Sequence, residues 1–290
     1  MSTPDFRAVW WKLDRASQHR YELDREIGDY FAVEANRPRC VGKYEPDRGY
    51  YVFRVTYVPP DIDDFLTFAA IAVGDAVHNL RSALDYLAYQ LAIAEAARVG
   101  RALSAAERGR IYFPIHTRWL DGAKAGWNRK ENSYRRLFGD VNAAAIKRFQ
   151  PYRGRARGVR WGVRLRHPLT VLNRVSNRDK HRLPNVVAAL PSGFSVEPIE
   201  GASIEWFATV RSRVKLGAEV ARMRLAGVAD PQVEMDAEIS PRVAFSEGST
   251  VTAVIDTMTA YVYGIVKTFD PDGRLPRRLH RAPLPDSPSE

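Results

Sequence analysis

Residues 73–92, VGDAVHNLRSALDYLAYQLA, follow the pattern of a buried helix yet carry charge inside it. At 100° per residue, Val73, Val77, Leu80, Leu84, Leu87 and Leu91 form one apolar stripe, and Ala69, Ala72, Ala76 and Ala83 offer small surfaces for close packing. Asp75, His78, Asn79, Ser82, Asp85, Tyr86 and Tyr89 fall on another face, at spacings of three and four. Exposed helix faces are usually built from Lys, Glu, Gln and Arg, which form helices better than Asp, His, Asn or Ser. Besides the ordinary solvated face, two readings stand: a binding site, or a buried hydrogen-bond network that only fixes packing.

Working outward, Pro59 and Pro60 stop whatever precedes, and Asp61, Asp63 and Asp64 supply the acidic start of a helix over 62–98. Upstream, residues 5–36 predict an amphipathic helix, and residues 41–58 a hairpin whose arms flank a Pro-Asp-Arg-Gly turn. Downstream, IYFPI (111–115) fits a short strand, and SYRRLFGDVNAAAIKRFQPY (133–152) one or two helices ending at Pro151. A helix over 168–183 starts with Pro168 at its first position and stops at Pro184. Residues 185–246 turn to short β-rich pieces, and 249–269 return to helical periodicity. The expected fold is α+β: a helical bundle with an antiparallel β-rich insertion before the last helix and a small N-terminal hairpin. In those terms the chain divides into a helical body (1–184), the insertion (185–246), a C-terminal helix rejoining the bundle (247–270) and a tail (271–290).

Composition narrows the class. The 290 residues are 45% hydrophobic and 27% charged, as in soluble globular proteins, and carry a formal net charge of +10, which favours polyanionic partners. The single Cys40 excludes an intramolecular disulfide or a multi-cysteine zinc site, so a reducing cytoplasm is the expected location. The first residues show no export pattern, and the apolar segment 65–94 is too charged for a lipid-facing span. No Walker, GxGxxG, GxSxG or HExxH pattern occurs, and His19, His116, His167 and His280 have no metal-ligand spacing, so neither a metal nor another cofactor is expected.

A second cluster, NRVSNRDKHR (173–182), concentrates polar chemistry. On a helix Arg174, Asn177 and His181 share one face over two turns, and Arg178 and Arg182 a neighbouring one. Such a face can hold phosphate with Arg while His moves a proton; the plain alternative is a basic helix end meeting the C-terminal dipole. Buried acids need partners, so Asp75, His78, Asn79 and Asp85 are expected to sit near Asn177, Asp179, Lys180 and His181, and Arg81 and Arg182 are counted with them among the candidate binding residues. The preceding loop, RGRARGVRWGVRLR, sets Arg153, Arg155, Arg157, Arg160, Arg164 and Arg166 around Trp161 with no acid between them. Arginine on phosphate and tryptophan on a base suit single-stranded nucleic acid.

The helix motif GDAVHNLRSALDYL and the later NRDKHR resemble a family of uncharacterised bacterial proteins that pairs GD-x-x-HN-x-RSALD-x-L with N-x-x-DKHR. A weaker resemblance is to the HEPN superfamily of helical bundles, many of them metal-independent endoribonucleases marked by R-x(4–6)-H. Arg81 is followed by Tyr86 where that pattern wants His, whereas Arg174 and His181 enclose six residues, its upper limit. The resemblance implies an RNA-cleaving, defence or toxin-like enzyme with Arg174 on phosphate and His181 as general acid or base. A non-catalytic binding module, and a structural or interaction protein whose polar motifs only stabilise the fold, stay open beside it. RNA is the expected partner, no membrane is expected, and a homodimer is left open.

Overall fold

The structure is a computed structural model describing residues 3–116, 121–153, 167–179, 183–184, 186–196, 201–210, 213–227, 234–245 and 248–276. Its helices are α1 (Arg7–Ala32), α2 (Ile62–Arg98), α3 (Ala105–Arg108), α4 (Asp121–Phe138), α5 (Asp140–Arg148), α6 (Pro168–Asp179) and α7 (Val251–Phe269). Its strands are β1 (Arg39–Glu45), β2 (Tyr50–Tyr57), β3 (Val186–Val196), β4 (Ser203–Thr209), β5 (Glu219–Ala226) and β6 (Met235–Phe245), which makes the class α+β. Two compact units are distinguished: residues 1–17, 79–159 and 259–290 form the first, residues 18–78 and 160–258 the second.

Helix α2 begins with Asp63 and Asp64 in its first turn, where carboxylates meet the positive end of the helix dipole. It ends at Arg98, followed by Gly100 at φ 66°, a left-handed position that glycine takes without steric cost. Its stripe is buried throughout: Val73, Val77, Leu80, Leu84 and Leu87 expose nothing to solvent. Each such side chain stabilises the fold by about 1.5–3 kcal/mol. Among the described residues no helix is long and apolar enough to cross a membrane.

In the second unit all six strands join one antiparallel sheet in the order β3-β6-β1-β2-β5-β4. The hairpin, expected as a small separate feature, supplies the two central strands, and residues 235–239 of the piece VEMDAEI run on through RVAF as the single strand β6. The reason is burial. A lone two-stranded hairpin is marginal in water, and this one has an apolar face of Cys40, Tyr51, Phe53 and Val55, which packs with Ala221, Met223, Met235 and Ala237 of the flanking strands. Gly42 lies opposite Phe53, and a Cβ there would fall within 2.4 Å of the ring, so the bare backbone makes room for it. Ile62, Phe65 and Leu66 of α2 and Tyr30 and Phe31 of α1 cover the face. Tyr30 stacks on Phe65 at 3.9 Å between centroids and donates its hydroxyl proton to Asp61 at 2.7 Å.

In the first unit, Trp10 of α1 donates its indole N–H to Asp270 just past α7 at 2.7 Å and meets Tyr263 edge-on. Residues 111–116 form no strand, contrary to expectation. Pro114 has no N–H for a ladder, and the neighbouring groups find side chains instead. The Phe113 N–H goes to Asp85 and its carbonyl accepts from Arg81, while the buried Gln150 takes the His116 N–H and donates to the Pro114 carbonyl. The stretch 133–152 holds the end of α4, then α5, split at Gly139 with φ 80°.

Cys40 lies in the sheet core with its Sγ on the Ala237 carbonyl, and burial, with Asp236 adding to it, pushes the thiol up to about 12. The thiolate is the reactive form. Iodoacetamide at pH 8 should therefore leave native protein unmodified and label it stoichiometrically in denaturant; rapid native labelling would contradict this packing.

Candidate functional site

The polar face of α2 has several fates. In the first unit Asp85 is a fastener: its carboxylate takes the Phe113 N–H at 2.9 Å and pairs with Arg81 one turn earlier, while Arg81 reaches the Phe113 carbonyl at 3.0 Å. Hydrogen bonds to charged groups contribute about 1.5–3 kcal/mol each. Asn79 is buried and accepts from Lys12 of α1 at 3.2 Å. These three residues, expected in the binding site, thus anchor parts of the first unit.

Asp75 and His78 are exposed, and in the second unit they meet the last residue of α6. The Asp179 carboxylate rests on the backbone of Gly74, where a Cβ would come within 2.4 Å of Oδ1 and 2.9 Å of Cγ. Burial raises the Asp179 carboxyl above the ordinary carboxylate range; the charge of Asp75 raises it further and His78 opposes. One side chain of the NRD segment is thereby seated against the GDAVH segment of α2. The two motifs meet at a glycine, because only a residue without Cβ admits the carboxylate.

Next to this junction lies an open groove of about 540 Å³, lined on α2 by Asp63, Leu66, Thr67 and Ala70 and opposite by Arg178, Leu183, Pro184 and Val186. Arg174, Asn177 and Arg178 are exposed along α6. Among the described residues no group of three His, Cys, Asp or Glu side chains is placed to hold a metal ion. Carboxyl, carboxylate and imidazole together can accept and donate protons, and the α6 arginines can bind an anion. Lys180, His181 and Arg182 lie outside the described residues, as do Arg155, Arg157, Arg160, Trp161, Arg164 and Arg166 of the arginine-rich loop; Arg153 closes a 3-10 turn begun at Pro151. Compared with family models, curated proteins and solved structures, the chain matches none.

Sequence reasoning missed Gly74, Arg178's place in a groove, and His167. Gly74 was visible only as part of a motif, since a helical glycine in a one-dimensional pattern shows no neighbour. His167 precedes α6 and caps it: Nδ1 accepts the Leu169 N–H at 3.3 Å, and the backbone carbonyl takes the Thr170 N–H. A histidine is an uncommon N-cap, so nothing in the pattern marked it. Burial pulls the His167 imidazole down to about 4. His116 is lowered too, by burial and then Lys130, and its Nε2 lies 3.0 Å from the Tyr134 hydroxyl.

Both histidines have folded values below the unfolded one of about 6.5. Their contribution is therefore complete above that pH and is lost as pH falls towards the folded value. His167→Asn keeps a capping acceptor but not the titration. Its thermal midpoint should lie closer to wild type, or above it, at pH 4 than at pH 7, and an equal gap at both would remove His167 from the acid limb. Gly74→Ala, normally worth up to about 1 kcal/mol in a helix interior, should instead destabilise by about 1–3 kcal/mol through overpacking. Combining it with Asp179→Ala in a double-mutant cycle should show positive coupling in denaturant unfolding; additivity would mean the carboxylate does not need the bare backbone.

Proposed function

We propose that the protein is a metal-independent RNA-cleaving enzyme of the HEPN-like kind, related to the bacterial proteins that share its GDxxHNxRSALDxL and NxxDKHR motifs. The observation that carries this reading is the seating of the Asp179 carboxyl on Gly74 beside Asp75 and His78, next to a groove edged by Arg178, with burial raising that carboxyl. Cleavage without a metal needs a base, an acid that still holds its proton, and cations for the phosphate. Histidine is the side chain that ordinarily exchanges a proton near neutrality. In the proposed step His78 takes the proton of a ribose 2′-hydroxyl and that oxygen attacks the adjacent phosphorus. The bond to the 5′-oxygen breaks, and Asp179 gives its proton to that oxygen, leaving a 2′,3′-cyclic phosphate and a 5′-hydroxyl. Arg174 and Arg178 hold the non-bridging oxygens, and His181 of the same motif is the alternative proton carrier.

The test is cleavage of an end-labelled RNA by the full chain in excess EDTA. Wild type should cut, with a bell-shaped dependence on pH. Asp179→Asn and His78→Ala should each lower the rate by about 10²–10⁴-fold, the range for losing one general acid or base. If His181→Ala abolishes cleavage and His78→Ala does not, the base is reassigned. Cleavage unaffected by any of the three would remove the mechanism.

A further inference from the structure

The face of the sheet opposite its apolar core has no assigned role. On it Trp206 of β4 lies directly across from Arg224 of β5, and Ala208 from Arg222, which in turn pairs with Val52 of β2. The Tyr50 ring is 6.0 Å from that of Trp206, and the Arg222 guanidinium lies 5.8 Å over Tyr50. Trp206 is 45% exposed although it is a large aromatic on a sheet edge. An unprotected edge with exposed Trp is something folded proteins normally avoid unless it is used.

The charges around the rings are arranged unequally. Glu234 meets Lys43, Glu45 meets Arg48 and Arg54, and Glu219 meets Arg48 and Arg222. Arg224 has no carboxylate partner among the described residues. It is exposed, and its Nε donates to the Gly49 carbonyl in the β1–β2 turn at 3.2 Å, which anchors the side chain and leaves its terminal N–H groups for a ligand. Two aromatic rings on a pleated surface, with one anchored, uncompensated arginine beside them, match a single-stranded nucleic acid: bases stack on the rings and the fork takes a phosphate. A protein partner is less well served, since the Tyr50 and Trp206 rings lie beside Arg222 and Arg224, and Arg224 has no carboxylate partner among the described residues.

We infer that the Tyr50–Trp206–Arg224 surface is a stacking platform for single-stranded nucleic acid, separate from the groove beside Asp179 and independent of whether that groove is catalytic. The full chain would be titrated into a short fluorescein-labelled oligouridylate, with affinity read by anisotropy at several salt concentrations. Trp206→Ala should weaken binding about tenfold, as expected for one lost base stack, and Trp206→Phe should restore most of it. Arg224→Ala should reduce the slope of log affinity against log salt by about 0.7, one phosphate contact on a single strand. Circular dichroism confirms that each variant is folded.

No binding by wild type, or equal affinity in Trp206→Ala, overturns the inference. So does a wild-type dimer that Trp206→Ala dissociates in sedimentation while the oligouridylate goes unbound, which would make the face a contact between two copies. Trp206-dependent binding without cleavage upholds the platform and removes only the catalytic reading; cleavage lost in Asp179→Asn with unchanged binding upholds both.

Discussion

Burial of one stripe of α2 constrains the rest of the molecule. The helix supplies residues to both units, and from Val73 to Leu91 the stripe is closed to water. A helix of 37 residues is about 55 Å long, far more than one small core can cover. Its N-terminal end packs with the sheet through Ile62, Phe65 and Leu66, and its residues from 79 onward belong to the first unit. Beside that stripe α2 carries a polar line, from Asp75 through His78, Asn79 and Arg81 to Asp85, and offers it in sections to whatever lies alongside.

Each section follows from its surroundings. Where a segment without backbone pairing passes, as at residues 113–116, the helix gives Asp85 and Arg81 to satisfy its N–H and carbonyl. In the first unit the buried Asn79 accepts from the ammonium of the half-buried Lys12, so its amide oxygen is paired. At Gly74 the helix surface is bare, and the end of α6 fills the gap with a carboxylate near another acid. The first two arrangements lower the energy of the fold. The third costs electrostatic energy, and costs of that kind concentrate where chemistry is done. That asymmetry is why the proposed active site is placed at Asp179 and not at the better-paired Asp85.

The sheet shows the same division between two faces. Its inner face is apolar and closed by α1 and α2; its outer face is a lattice of arginine, glutamate and aromatic side chains. The pleat makes this possible, since neighbouring residues such as Tyr50 and Tyr51 point to opposite sides and can serve opposite purposes. A one-residue slip in the β1–β2 register would bury Tyr50 and expose Tyr51 and Phe53, so the core packing fixes the outer surface as well.

Much of this was legible in one dimension. Helical periodicity and proline stops placed α1, α2, α6 and α7 to within a few residues at most described ends, because those signals are local and repeat along the chain. The alternation of residues 41–58 showed a hairpin for the same reason. Which strands would flank it was not legible, since β1 pairs with β6 about two hundred residues away and nothing local encodes that partner. The polar residues of the candidate site were named from the pattern, but their sorting into fastener, buried partner and the group around Asp179 was not. That sorting depends on what each side chain faces: a carbonyl at Phe113, an ammonium at Lys12, a carboxyl at Asp179. Sequence by itself determined the elements and their apolar faces, because these follow from the chain's own geometry. Tertiary structure alone decided which polar groups meet, because pairing and burial are set by neighbours distant along the chain.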